Sequence, residues 1–217
     1  MENQTSNSND KPSHLACMLL VDNSASMTTL KEATEQAIEQ FLADQAAQPG
    51  LVTVDAVLFS SAYELTHRQA SPESIKLNLR PHGGTSLYDV AAICIEGFAK
   101  ELEKLPSYEP ATQICVAILS DGVDTTSIVH NAASLKEIID AKQEHEHWEF
   151  LYLAANQDAI LNARKMGIRE DASITFNADA GGVTKATQAA SRFMRDMRRG
   201  NRTGFTEAER GAASRRS

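Results

Sequence analysis

Asp22, Ser24 and Ser26 alternate along Asp22-Asn23-Ser24-Ala25-Ser26, directly after the apolar run Cys17-Met18-Leu19-Leu20-Val21. Two further segments, Gly83-Gly84-Thr85 and Ser120-Asp121-Gly122, add a hydroxyl and a second carboxylate, and Asp121 again follows an apolar run at 114–119. The set Asp22, Ser24, Ser26, Thr85 and Asp121 offers oxygen only, with no thiolate and no imidazole. Hard oxygen donors of this kind suit Mg²⁺ or Mn²⁺, which keep water or a partner's oxygen in the positions a protein leaves open. Each residue also has an ordinary use. Asp22 can cap a helix, Ser24 and Ser26 can satisfy a turn, Thr85 can cap the helix starting near Leu87, and Asp121-Gly122 is a common turn pair. Taken one by one, each of these ordinary uses stays open.

Such a site needs three loops on one rim, and the pattern of elements supplies them. Residues 15–21 and 114–119 are apolar at nearly every position, as strands are when helices cover both faces. Residues 51–59 read as another strand, followed across Ser60-Ser61 by a short antiparallel one at 62–67. Residues 148–154 and 172–176 complete the strands. Helices are expected from Leu30, where Ala33, Ala37, Ile38, Phe41 and Leu42 recur at helical spacing, and over 87–105, 134–145, 157–166 and 184–199. Thr28 or Thr29 is a candidate cap for the first, and Asp89 lies in the first turn of the second. The alternation predicts an α/β fold of Rossmann-like, three-layer αβα form, with a mostly parallel sheet and one antiparallel edge strand. In such sheets ligands gather beyond the carboxyl ends of the strands, where strand order reverses. Asp22 and Asp121 both end strands, so both belong on that rim.

The 217 residues fit one domain at 14–199, with a polar N-terminal tail at 1–13 and a basic flexible tail at 200–217. No apolar run is long enough for a membrane span, and the N-terminus has neither the basic start nor the apolar stretch of a secretory leader. Cys17, Cys94 and Cys115 are widely spaced within apolar segments and read as buried reduced thiols. Cys17 and Cys115 belong to strands that can lie side by side, which leaves a bridge under oxidation open. An odd cysteine count without a leader points to the cytoplasm. Charge is uneven: residues 192–217 carry eight arginines against Asp196, Glu207 and Glu209, a net +5, so residues 1–191 carry −13 within the whole-chain −8. The basic end suits the acidic body, an acidic partner or nucleic acid.

Asp-x-Ser-x-Ser, then Thr85 within Thr85-Ser86-Leu87-Tyr88-Asp89, then Asp121 within Ser120-Asp121-Gly122-Val123-Asp124, resembles the metal-ion-dependent adhesion site of von Willebrand factor A domains. The resemblance spans roughly residues 14–176. Residues 150–158, Phe-Leu-Tyr-Leu-Ala-Ala-Asn-Gln-Asp, are more similar to intracellular bacterial and phage members than to integrin-type inserted domains. It implies that Asp22, Ser24, Ser26, Thr85 and Asp121 hold the metal, directly or through water, and that an Asp or Glu of a partner protein completes its coordination. Asp124 reads as a supporting or turn residue rather than a ligand. Ala25 stands where the family often has Gly, and small size is kept.

A protein-binding module rather than an enzyme is therefore expected. Metal-dependent phosphatase or nuclease chemistry is the rival, but the three motif segments themselves, 22–26, 83–85 and 120–122, hold no Lys or Arg to stabilise developing charge, and no general base is evident. His145-Glu146-His147 has the wrong spacing for a helical zinc pair, and Gly83-Gly84-Thr85-Ser86 lacks the Lys of a phosphate-binding loop. A third reading makes the chain a structural component that meets nucleic acid through Arg192, Arg195, Arg198, Arg199 and Arg202.

Overall fold

The computed structural model describes residues 13–107, 110–155, 159–201 and 203–215. The N-terminal residues 1–12 and Asn156-Gln157-Asp158, where part of the family resemblance and the start of the helix at 157–166 fall, lie outside the described residues. The uniformly apolar runs become β1 (His14–Asp22), β4 (Gln113–Ser120) and β5 (Glu149–Ala154), with β1 and β5 buried along their whole length and β4 from Cys115 onward. With β2 (Leu51–Phe59), β3 (Tyr63–Ala70) and β6 (Ser173–Thr175) they form one sheet of order β3-β2-β1-β4-β5-β6. All pairings are parallel except β2 with β3, which places the antiparallel strand at an edge. The turn between those two is closed by the Ser60 N–H donating to the Ala62 carbonyl at 2.7 Å.

Helix α1 (Lys31–Ala46) packs against α5 (Ala180–Arg198) on one face of the sheet. Helices α2 (Leu87–Leu102), α3 (Ala132–Glu146) and α4 (Ala159–Lys165) pack in series on the other. The expected α1 stripe is the buried one, Ala37, Ile38, Phe41 and Leu42, and α5 buries Val183, Ala186, Ala190, Phe193 and Met194 against it. Each large aliphatic or aromatic side chain so removed from water contributes roughly 1.5–3 kcal/mol. The α1 cap differs from expectation. Residues Ala25–Thr29 form a 3-10 turn, Leu30 takes the N-cap position without a side-chain bond, and Thr28 Oγ1 donates back to the Ala25 carbonyl at 2.6 Å. Ser24 precedes that extra turn as its N-cap and Ser26 lies within it.

The structure also departs from the flexible tail expected at 200–217. Phe205 is buried against Phe193, with ring centroids 5.5 Å apart. Helix α6 (Glu207–Ser214) follows, capped by Thr206 in a reciprocal bond with Glu209. It lies along α5 and β6 and covers the outer edge of a three-residue strand that would otherwise present unpaired backbone. Arg192 donates to Glu209 through Nε and Nη2, both at 2.7 Å, and to Asp196 at 3.0 Å. Arg198 donates to the Gln45 and Pro49 carbonyls, and Arg210 to those of Glu170 and Ser173. Three arginines of the basic end are thus committed within the fold, as is Glu209. The capping pair and Phe205 were the sequence signals for this docking.

Cys17 and Cys115 are paired positions on β1 and β4, and with Cys94 they are buried free thiols. No helix among the described residues is long and apolar enough to cross a membrane.

Candidate metal centre

Strand order reverses between β1 and β4, and the loops that leave those two strands begin with Asp22 and Asp121. Asp22 is completely buried. Its Oδ1 accepts the Ser24 N–H at 2.8 Å, and its Oδ2 accepts the Ser120 hydroxyl at 2.5 Å. The carboxylate is held from its own loop and from the neighbouring strand, which leaves it one orientation. Asn23, also buried, joins the first loop to the second. Its N–H donates to the Phe59 carbonyl at 2.6 Å, its carbonyl accepts the His82 N–H at 2.9 Å, and its Oδ1 accepts the Arg80 N–H at 2.8 Å.

Ser24 Oγ and Ser26 Oγ lie 3.0 Å apart, and Ser26 Oγ donates to Asp121 Oδ1 at 2.7 Å. The second loop comes alongside through the Ala25 N–H, which donates to the Gly83 carbonyl at 3.2 Å. Gly83 has a φ of +68°, a conformation that favours glycine. Gly84 lies against the third loop so closely that a Cβ there would sit 2.7 Å from Thr126 Cγ2. Thr85 is then clamped: its N–H donates to Thr125 Oγ1 at 2.9 Å, and its carbonyl accepts the N–H groups of Thr125 and Thr126 at 2.8 and 3.1 Å. Its hydroxyl faces Gly122, whose missing Cβ would stand 4.0 Å away.

The structure therefore joins Asp22, Ser24, Ser26 and Asp121 in one short network and brings Thr85 beside Gly122. Adjacent ligands at 2.0–2.1 Å from an octahedral ion are about 2.9 Å apart. The oxygen spacings of 3.0 and 2.7 Å along Ser24, Ser26 and Asp121 match that requirement. Electrostatics point the same way. Burial pushes the Asp22 carboxyl above its ordinary value, against hydrogen bonds from Ser120 and Ser24 that favour ionisation. Burial also raises Asp121, opposed by Ser26 and reinforced by the charge of Asp22. Two carboxylates crowded together with hydroxyls lack a counter-charge, and a divalent cation would supply it. Among the described residues no group of three or more His, Cys, Asp and Glu side chains could hold a metal, so hydroxyls are integral to any site here. His145 and His147 close α3 instead, with His147 in a left-handed C-cap conformation.

Several residues act here in ways that the sequence left unread. Ser120 orients Asp22, and Asn23 ties two loops. Asp124 has both the turn and the supporting role expected of it: it accepts the Ser127 N–H and hydroxyl, and its Oδ2 accepts the Tyr88 N–H at 3.1 Å, while Ser127 Oγ accepts the Asp89 N–H at 3.0 Å. They cap α2 from across the chain, since the Ser86 side chain does not. Asp89 reciprocates, taking the N–H groups of Ile128, Val129 and His130 at 2.8, 3.1 and 2.6 Å. The spacing Asp89 to Asp124 carries no local signal, because both partners are brought together only by the fold.

No family model matches the sequence, and no curated protein does. Solved structures resemble it in fold. Proximal thread matrix protein 1 from the mussel byssus superposes with a TM-score of 0.62 at 15% identity, over 82% of this chain and 47% of that one. The same mussel protein with a zinc-occupied metal-ion-dependent adhesion motif gives 0.58 at 14% identity, over 85% and 46%. A von Willebrand factor type A protein from Catenulispora acidiphila gives 0.58 at 16% identity, over 82% and 42%. The chain spans less than half the length of these structures. The three-layer fold is that of von Willebrand factor A domains.

Proposed function

We propose that this protein is a metal-dependent protein-binding module rather than an enzyme, working in the cytoplasm. Asp22, Ser24, Ser26, Thr85 and Asp121 would hold Mg²⁺ or Mn²⁺ as a metal-ion-dependent adhesion site, and an Asp or Glu of a partner protein would take the position left open. The observation that carries this reading is the row of oxygens from Ser24 through Ser26 to Asp121, at ligand-to-ligand spacing, on the carboxyl rim at the strand-order switch. A zinc-occupied site of this kind in the mussel protein supports a divalent ion.

When bound, the ion supplies a concentrated positive charge and a directional acceptor position for an oxygen ligand. The chain's own residues do the rest. Ser120 and the Ser24 N–H keep Asp22 oriented, the clamp around Thr85 fixes the second loop, and the short 3-10 turn holds the two serines side by side. Because residues 1–191 are net negative, an approaching acid is repelled at range, which makes the contact with the cation decisive. Against catalysis, both ring nitrogens of His82 are occupied, Nδ1 by the Arg80 carbonyl at 2.7 Å and Nε2 by Ser60 Oγ at 3.3 Å. The histidine of the second loop is thereby spent on structure.

The test is calorimetric titration of Mg²⁺ and Mn²⁺ into the protein, followed by affinity capture from native lysate in Mg²⁺, beside EDTA and Asp22→Ala controls. The reading requires metal binding that Asp22→Ala abolishes and a partner captured only with both metal and Asp22. A folded protein that takes up neither ion would sink it.

A further inference from the structure

The loop that leaves β4 carries side chains for which the fold has no use. Ile128 is 92% exposed, Val129 74% and Val123 52%. The other exposed large apolar side chains among the described residues, Leu51, Tyr63, Ile93 and Leu161, are scattered one each over β2, β3, α2 and α4. Single exposed hydrophobes need no account. Three within seven residues, on a loop that starts at Asp121, are a local concentration.

The loop is also held rigid. The Asp89 carboxylate takes three successive N–H groups, from Ile128, Val129 and His130. Asp124 binds Ser127 through both its N–H and its hydroxyl, at 3.2 and 2.5 Å. Thr125 and Thr126 donate their N–H groups to the Thr85 carbonyl. With the backbone satisfied inward, Ile128 and Val129 project outward from a fixed platform. Thr126 lies against Gly84, next to Thr85. Two residues of chain span at most roughly 7 Å, so Ile128 stands close to the same rim. Arg80, whose N–H is held by Asn23, is exposed. An incoming acidic segment would thus meet the cation and, on the loop beside it, exposed apolar side chains.

We propose that the ridge of Val123, Ile128 and Val129 is the specificity half of the site. It takes an extended segment of a partner protein that carries an apolar side chain two to four residues from the Asp or Glu that meets the cation. Val123 is two residues from Asp121 and Ile128 two from Thr126, so the ridge stands within a few residues of extended chain from the site at about 3.3 Å per residue. The inference rests on the cation reading above and adds to it which acidic segments are accepted. The −13 charge on residues 1–191 disfavours a second copy of this chain as the occupant, whereas a short segment presents one carboxylate and little else to repel.

A random dodecapeptide display library panned against the full chain tests this, in Mg²⁺ and in EDTA, on the wild type and on an Ile128→Asp, Val129→Asp double variant. Peptides enriched only with Mg²⁺ are expected to combine an acid with an apolar residue two to four positions away. Their affinity should fall roughly tenfold or more on the double variant, while its Mg²⁺ affinity stays that of the wild type. Metal-dependent peptides with an acid but no apolar preference, or binding undiminished on the variant, would overturn the ridge and leave the cation reading standing. No metal-dependent peptide at all, from a protein that binds Mg²⁺, would overturn both. Ile128→Ser with Val129→Ser repeats the comparison without introducing charge.

Discussion

Ser120 sets its hydroxyl oxygen 2.5 Å from Oδ2 of Asp22, so the last residue of β4 holds the last residue of β1 across the point where strand order reverses. Ser120 is completely buried and also sits 3.3 Å from the Gly122 backbone. It thereby links the carboxylate of the first loop to the turn that carries Asp121. Ligands held by such outer partners bind metal more tightly because they do not have to be ordered by the ion.

Ser120→Ala is accordingly expected to leave the protein folded and to weaken Mg²⁺ or Mn²⁺ binding by about 10–100-fold. Calorimetric titration of both ions into the variant measures this. Wild-type affinity would mean that the Ser24 N–H alone is enough to orient Asp22.

The metal should stabilise the native state as any ligand does that binds only the folded form. At a concentration near 100 times its dissociation constant, Mg²⁺ is expected to add about 2.7 kcal/mol, lost on addition of EDTA. Asp121→Asn removes one of two carboxylates that repel each other in the metal-free protein. Its melting temperature in EDTA should therefore rise above that of the wild type, while the gain from Mg²⁺ disappears. Scanning calorimetry with and without the ion reads both effects. A variant less stable than the wild type in EDTA would show that the bond to Ser26 outweighs the repulsion.

Gly84→Ala tests the contact between the second and third loops that positions Thr85. The new Cβ would stand 2.7 Å from Thr126 Cγ2 and 3.1 Å from Thr125 Oγ1, and Thr126 is itself pinned through Oγ1 to Ser86 Oγ at 2.7 Å. The third loop must shift, and with it the clamp on Thr85. Strain of this kind costs roughly 1–3 kcal/mol. A fall in Mg²⁺ affinity is expected together with a loss of stability inside that range, measured by titration and urea unfolding. Unchanged metal binding would place Thr85 outside the coordination set.

Much of this was legible in the sequence, for identifiable reasons. The runs that became β1, β4 and β5 are apolar without alternation, which marks strands covered on both faces, and each is followed by turn residues. The five oxygen donors were readable because each follows a strand or a glycine pair whose place on the rim the fold class dictates. What stayed hidden depends on contacts between distant segments. Asp89 in the first turn of α2 reads as a dipole partner, yet its carboxylate anchors residues 128–130. Asp124 reads as a supporting or turn residue, but that it supports the start of α2 shows only in the fold. Residues 200–217 read as a flexible tail because Arg, Ser, Gly and Ala dominate their composition. Phe205 and the Thr206–Glu209 capping pair, which decide its structure, are three residues among many.

The docking of α6 follows pH through its ion pairs. Hydrogen bonds from Arg192 hold the Asp196 carboxyl below its ordinary value. Partial burial works against ionisation of Glu209, but bonds from Arg192 and Thr206 outweigh it and hold that carboxyl low as well. A carboxylate depressed in the folded state contributes its stability fully above its ordinary value and loses it as pH falls through the folded one. Docking of α6 should therefore be intact at neutral pH and weaken progressively below pH 4.5, the ordinary value for Glu209. Arg192→Ala should reproduce the acid effect at neutral pH and cost about 2 kcal/mol, because it strips charge-assisted bonds from two carboxylates at once. Amide exchange protection across 205–214, compared between the wild type and the variant at pH 7 and for the wild type at pH 3.5, provides the check. Protection that survives both changes would mean that Phe205, packed between Phe193 and the Arg210 guanidinium, holds α6 in place without the ion pairs.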